Sequence, residues 1–371
     1  MQTFFNIYSQ QATAQAVIKD CVQQCQNAPA EANFAFIYAT DALTADFPDL
    51  LKQCKDATGI THWVGTIGLG IIAPNQEWYD NPAASIMLAA FDETEFSMLP
   101  SIKKIDEISP TLQAIKRYQV NVALIHGDPF NPETQELIEQ TQQQLDNGFI
   151  VGGLASSRDK HYQVSDSIDS GGISGVIFSE KINVISNLTQ GCSPVGKKLS
   201  ITKAQENVAF TIDNQLALNV LMQKMGIPDF HALKDQAAEV FIGICIPGSD
   251  SNDYTVRNLV GIDPEHSIFA INDYLHEGDE IVFCRRNDQT AIDDMQHMLD
   301  KLADRLKKLP IKGGIYVSCL GRGREQFGKN SEEVKMIHNT LGDFPLTGFF
   351  ANGEIHHNKL YGYTGVLTLF I

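Results

Sequence analysis

The residues best equipped for chemistry lie in Val317-Ser318-Cys319-Leu320-Gly321-Arg322-Gly323-Arg324, where a small apolar strand delivers a thiol, then a glycine turn, then two guanidinium groups. The planar fork of an arginine meets a carboxylate through paired hydrogen bonds, so Arg322 could clamp an anionic ligand while Cys319 lines its pocket. The same spacing also fits a buried core thiol and an internal ion pair between Arg322 and Glu354. As a nucleophile, Cys319 would need a base within reach, and His356 and His357 follow Glu354 on what reads as the neighbouring strand. No protease or transferase signature surrounds the thiol, and no catalytic residue is assigned.

Other patterns carry less. Ten histidines are dispersed without the one-turn pairing of a zinc helix, so no protein-built metal site is expected. A haem needs only one axial ligand and an apolar pocket; His126, after the apolar Val122-Ala123-Leu124-Ile125 and before Gly127-Asp128-Pro129, is the first candidate ligand, against a plain core or loop role. Gly65-Thr66-Ile67-Gly68-Leu69-Gly70 runs into Ile71-Ile72 rather than a helix and is no dinucleotide fingerprint, and no P-loop lysine motif occurs. Cys21 and Cys25 sit one helical turn apart without a second metal-spaced pair, which reads as small apolar burial.

The elements that would position these groups form a unit that recurs three times, each copy reading strand, loop, helix, strand, with a further strand behind it. In the first copy Phe34 to Ala39 is a strand, Pro48 to Ala57 a helix and His62 to Ile72 a glycine-rich strand, followed by Ala84 to Phe91. The second uses Val122 to His126, Pro132 to Leu145 and Phe149 to Ala155, then Gly172 to Phe178. The third uses Gly314 to Cys319, Ser331 to Leu341 and Leu346 to Ile355, then Tyr361 to Phe370. A strand–helix–strand crossover implies parallel pairing, and the trailing strand returns antiparallel. The fold class expected is α/β: repeated β-loop-α-β-β units forming mixed sheets flanked by helices, in two domains, 1–226 and 227–371. Ile292, Met295, Leu299, Leu302, Leu306 and Leu309 lie at helical spacing and mark a core-facing stripe.

Composition narrows the partners. Against 45 Asp and Glu there are 28 Lys and Arg, a net charge of −17 that repels nucleic-acid phosphate and anionic lipid. No apolar run approaches the roughly 20 residues of a membrane span, and the start lacks the pattern of a secretory signal. Seven scattered cysteines fit a reducing compartment, so the chain is expected in the cytoplasm.

The stretch from about Asn33 to Met225 resembles the FIST N-terminal domain through Val64-Gly65-Thr66, Val151-Gly152-Gly153-Leu154-Ala155-Ser156-Ser157 and Gln190-Gly191-Cys192-Ser193-Pro194-Val195-Gly196. From about Ile227 to Glu354 the chain resembles the FIST C-terminal domain through Val256-Arg257-Asn258-Leu259-Val260-Gly261-Ile262-Asp263, Ser318-Cys319-Leu320-Gly321-Arg322-Gly323 and Gly348-Phe349-Phe350-Ala351-Asn352-Gly353-Glu354-Ile355. The resemblance implies a sensory module for a small ligand, with amino acids among the ligands proposed for the family and haem with nitric-oxide sensing in some members. Its output would pass to a separate signalling protein such as a histidine kinase or cyclase. On this reading Arg257 and Arg322 hold an anionic group, Asn258 orients it, Cys319 and Gly353 line the pocket, and Glu354 fixes an arginine or reads an amine.

Overall fold

The computed structural model describes residues 3–115, 119–145, 147–246, 254–307 and 309–371. Two compact units emerge, Met1–Thr189 with Gln296–Ile371, and Gln190–Met295. The first unit is a threefold repeat. Copy one runs β1 (Phe4–Gln10), α1 (Ala14–Cys25), β2 (Phe34–Thr40), α2 (Phe47–Thr58), β3 (His62–Gly68), the hairpin β4 (Gly70–Ala73) with β5 (Gln76–Tyr79), and β6 (Ala83–Ala89). Copy two runs β7 (Phe96–Ile102), α3 (Ile108–Ile115), β8 (Val120–Gly127), α4 (Thr134–Gln143), β9 (Phe149–Leu154), the hairpin β10 (Gln163–Ser165) with β11 (Ser167–Asp169), and β12 (Ile173–Ser179).

Copy three opens with β13 (Val184–Thr189), and there the second unit is inserted. That unit comprises β14 (Ser193–Gln205), β15 (Val208–Ile212), β16 (Gln215–Leu216), α5 (Ala217–Met225), α6 (Phe230–Gln236), β17 (Val240–Cys245), β18 (Tyr254–Asp263), β19 (Ile268–Ile271) and β20 (Glu280–Arg285). The copy then resumes through α7 (Asp288–Leu306), β21 (Gly313–Cys319), α8 (Glu332–Leu341), β22 (Leu346–Ala351), the hairpin β23 (Glu354–His356) with β24 (Lys359–Tyr361), and β25 (Gly365–Phe370).

Within every copy the crossover strands pair in parallel, β2 with β3, β8 with β9 and β21 with β22. The trailing strand returns antiparallel to the first, β6 to β2, β12 to β8 and β25 to β21. This is the pairing expected from the sequence. One glycine position marks each copy: a Cβ at Gly65, Gly152 or Gly348 would stand 1.7, 1.9 or 1.8 Å from the carbonyl oxygen of Ile37, Ile125 or Tyr316 on the parallel neighbour. Only a residue without a side chain admits that approach.

The hairpins correct the sequence reading, which ran His62 to Ile72 and Leu346 to Ile355 as single strands. At Leu69, and again at Asn352-Gly353, the chain leaves one sheet and enters another. Thus β4 pairs with β22, β23 with β9, and β10 with β3, so each copy lends its hairpin to the next sheet in a closed cycle. Gly353, at φ +132°, takes a backbone conformation that side-chain-bearing residues rarely adopt, and it ends β22's pairing there.

The inner faces of the three sheets share one core, with Phe34 and Phe36, Val122 and Leu124, and Ile315 and Val317 among its members. Outer faces bury under helices, as where Ile37 and Trp63 meet Leu50 and Cys21, or Ile125 meets Leu137. Strands covered on both sides favour apolar residues, which is why β2 and β6 read as mostly apolar runs, with the buried Ser85 of β6 bonded to Thr347 at 2.8 Å.

The second unit is antiparallel throughout its strand pairings, and β14, β20, β17, β18, β19 and β15 close on themselves through a β14–β15 pairing. A single cut of the chain near residue 226 therefore does not separate the compact units. The last strand, β25, pairs with β13, so residues from both halves of the sequence complete one sheet. In α7, Met295, Leu299, Leu302 and Leu306 are buried as the stripe requires, but Leu309 lies beyond the helix end and is 53% exposed.

Candidate functional site

The turn after β21 is built around a carboxylate that the sequence reading passed over. Arg322 Nε donates to Glu333 Oε1 at 2.7 Å, and both side chains are fully buried. Tyr316 Oη and Ser318 Oγ, side by side on β21, donate to the same carboxylate at 2.6 and 3.1 Å, and the Gly323 amide donates to its other oxygen at 2.8 Å. Buried charge is tolerated only when paired and hydrogen-bonded, and here Glu333 meets four donors while the Arg322 guanidinium also lies over the Phe327 ring, 5.0 Å from its centroid. Gly323 sits at φ +52°, and a Cβ there would stand 2.1 Å from the Tyr79 hydroxyl oxygen. The turn therefore closes tightly against β5.

Over that turn opens a cleft of about 830 Å³ between β5 and the start of α8, lined by Trp78, Tyr79, Arg324, Lys329 and Lys335 with Glu77 beneath. Arg324 lies over the Tyr79 ring, 4.4 Å from its centroid, and donates to Asp80 at 2.6 Å. Glu77 is almost completely buried; its carboxylate accepts from Tyr79 Oη at 2.9 Å and from the Val334 amide in the first turn of α8 at 3.2 Å. Burial, with the charge of Glu333 nearby, pushes the Glu77 carboxyl up to about 7. The cleft thus joins an aromatic wall, three cations and two acids, Glu325 paired with Arg324 at 3.2 Å and Glu77 poised to change charge near neutral pH.

The residues singled out from sequence divide among different environments. Glu354 is fully buried at the start of β23, where Oε2 accepts from the Thr364 amide at 3.0 Å and Oε1 has no hydrogen-bond partner among the described residues. Desolvation holds its carboxyl well above the ordinary range, and the ion-pair partner of Arg322 is Glu333 rather than Glu354. Cys319 ends β21 beside Glu354; burial, then the neighbouring acid, pushes its thiol up to about 12, the opposite of an activated nucleophile. His356 and His357 do not supply a base to it: His356 is opposite Val151, its ring lies against His357 and Phe149, and burial lowers it to about 3. Gly353 contributes the turn between β22 and β23. Arg257 and Asn258 lie on β18 in the second unit, where Arg257 Nε donates to Asp273 at 2.7 Å.

His126 does not fit a haem ligand. It is fully buried in the inner core, its Nε2 lies 3.0 Å from Tyr38 Oη, and the rings of Tyr38 and Phe349 pack against it at 5.4 and 5.7 Å. Desolvation lowers its pKa to about 3. Cys21 and Cys25 on α1 and Cys54 on α2 are buried on the core-facing sides of those helices. Among the described residues no group of three or more histidines, cysteines or acids could hold a metal ion.

Glu333 and Glu77 escaped sequence reasoning because nothing local marks them. Glu332-Glu333 reads as ordinary acidic residues in the first turn of a helix, where they complement the helix dipole. Gln76-Glu77-Trp78-Tyr79 lies some 250 residues away in sequence from its partners on α8, and only the exchange of hairpins between copies joins them.

Comparison with known proteins agrees with this architecture. Residues 33–215 match the FIST N domain, and residues 212–357 match the FIST C domain. An uncharacterized protein of Mycobacterium tuberculosis is 28% identical over 340 residues, covering 87% of each chain. An uncharacterized protein of Mycobacterium bovis is 27% identical over 354 residues, covering 91% of this chain and 90% of its own.

Proposed function

The chain belongs to the FIST family, whose domains are small-ligand sensory modules of signalling, and from that premise we propose that it senses a small carboxylate, amino acids included, in the cleft above the Gly321 to Arg324 turn. The observation that carries this reading is the convergence of Arg324, Lys329 and Lys335 beside Trp78 and Tyr79 in a chain whose net charge is −17. A carboxylate finds its countercharges there, an apolar side chain finds the aromatic wall, and an ammonium finds Glu77. Arg322 and Glu333 serve as the brace that holds the wall, with Cys319, Gly353 and Glu354 behind it.

Occupancy would be transmitted through α8. Glu77 accepts from the Val334 amide in its first turn, and Glu333 in that same turn accepts from Tyr316 on β21 and from the Gly323 amide, so a ligand that fixes the charge of Glu77 shifts the balance between conformations of that turn. The shifted state is read by a separate signalling protein, a histidine kinase or cyclase being the class in view.

A thermal-shift screen with glycine, L-glutamate, L-tryptophan and acetate tests the reading, followed by calorimetry on any compound that raises the melting temperature. Lys329→Glu with Lys335→Glu should weaken the interaction at least tenfold without changing the melting temperature of the free protein. Binding that is indifferent to both this pair and Trp78→Ala overturns the placement.

A further inference from the structure

The repeat contains its own comparison. Position by position through the strand register, His126 on β8 corresponds to Val317 on β21, Ser174 on β12 to Val366 on β25, and Gln163 on β10 to Ile71 on β4. In the third copy's sheet the layer is wholly apolar, as a closed core requires, and Val317, Val366 and Ile71 all belong to it. In the other two sheets the same layer is polar, and every one of those side chains is at least 98% buried.

Besides Glu354 Oε1, at the matching position on β23, three of its atoms have no hydrogen-bond partner among the described residues: His126 Nδ1, Ser174 Oγ and Gln163 Oε1. His126 and Ser174 stand directly opposite each other on paired strands. Gln163 faces the same layer, because its neighbour Val164 packs into the outer core and its register partner Thr66 lies beside Tyr38, whose hydroxyl reaches His126. A buried polar atom without a partner is destabilising, and three in one layer would forfeit a large part of the net stability of a domain.

Their chemistry is complementary. Tyr38 Oη lies 3.0 Å from Nε2; with the phenol as donor the imidazole proton sits on Nδ1, and in that tautomer Nδ1 is a donor. Gln163 gives one amide hydrogen to the His161 carbonyl at 2.9 Å, and its unpartnered oxygen is an acceptor. The Ser174 hydroxyl can do either. We propose that this layer is an interior binding site for one small uncharged molecule that both donates and accepts hydrogen bonds, either a retained water or an alcohol- or amide-sized solute. An ion is disfavoured, since the layer is enclosed by Phe349 and Leu124 and the imidazole is itself held neutral. An occupant here would bridge β8 and β12 of one sheet to β10 of another, independently of the cleft.

Deuterium relaxation dispersion of solvent on the full chain counts long-held waters, and mass spectrometry of the denatured protein identifies any released organic molecule. Retained water predicts one long-lived water fewer in Ser174→Val than in the unsubstituted protein; a solute predicts one released molecule per chain that is missing from the variant. No difference in either measurement overturns the proposal. Should Ser174→Val fail to fold, nitrogen-correlated NMR of the unsubstituted protein decides. A His126 proton on Nδ1 with a cross-peak to water or to a solute proton supports the site, whereas a proton on Nε2, or no such cross-peak, overturns it.

Discussion

Arg322 and Glu333 are bound to each other at 2.7 Å, both out of reach of solvent, so the arginine that looks from sequence like a ligand clamp is half of an internal brace. Removing it leaves a buried carboxylate without its countercharge. Arg322→Ala should therefore lower unfolding free energy by about 3–5 kcal/mol in a urea titration. A ligand clamp would instead lose affinity at unchanged stability, and that result would return Arg322 to the binding surface.

Stability should fall as pH rises through the neutral range. Burial, with the charge of Glu333 nearby, pushes the Glu77 carboxyl up to about 7 from the ordinary 4.5 of an exposed carboxyl, so the folded state holds the proton more tightly than the unfolded one. Its contribution is fully present below about pH 4.5 and lost as pH climbs through about 7, an effect of up to about 3 kcal/mol. Glu354, also raised, acts with the same sign. Glu77→Gln should flatten part of that fall in melting temperature between pH 5 and 8; an unchanged profile would show that Glu77 is ionised throughout.

Cys319 should react sluggishly. With its thiol near 12, the thiolate fraction at neutral pH lies about three orders of magnitude below that of an ordinary cysteine. Iodoacetamide labelling of the native protein, read by peptide mass mapping, should spare Cys319 until the chain is denatured. Labelling at the rate of a free thiol would reopen the thiol-enzyme reading.

Haemin should produce no Soret band that depends on His126. Its Nε2 is engaged by Tyr38 and its ring is enclosed by Tyr38 and Phe349, so ligation would require the inner core to open. A sharp band that disappears in His126→Leu would contradict the packing. The same residue should leave a mark on acid stability: its folded pKa near 3 lies below the unfolded 6.5, so stability is lost as pH falls from 6.5 toward 3.

Much of the architecture was legible in the chain. The three copies announce themselves because strands buried on both faces are mostly apolar, and because Gly65, Gly152 and Gly348 each lie against a neighbouring carbonyl. Parallel pairing with an antiparallel return follows from the crossover helix in each copy. The candidate site was legible only in part. Its turn was visible as Gly321-Arg322-Gly323, but the acids that complete it and the aromatic wall that faces it were not.

Sequence by itself determined the crossover strands of each copy, the helices between them, and that the family is FIST, but not the hairpins that follow. Those properties are local, fixed by periodicity, glycine and proline over a few residues. Tertiary structure decided which segments meet. The exchange of hairpins carries Glu77 and Tyr79 to α8, sets His126 under Tyr38, and splits the chain into units that no single cut can separate. Such partnerships depend on how three sheets close around one core, and a side chain that is merely polar in sequence becomes a brace, a titrating acid or an interior ligand site according to what that closure places opposite it.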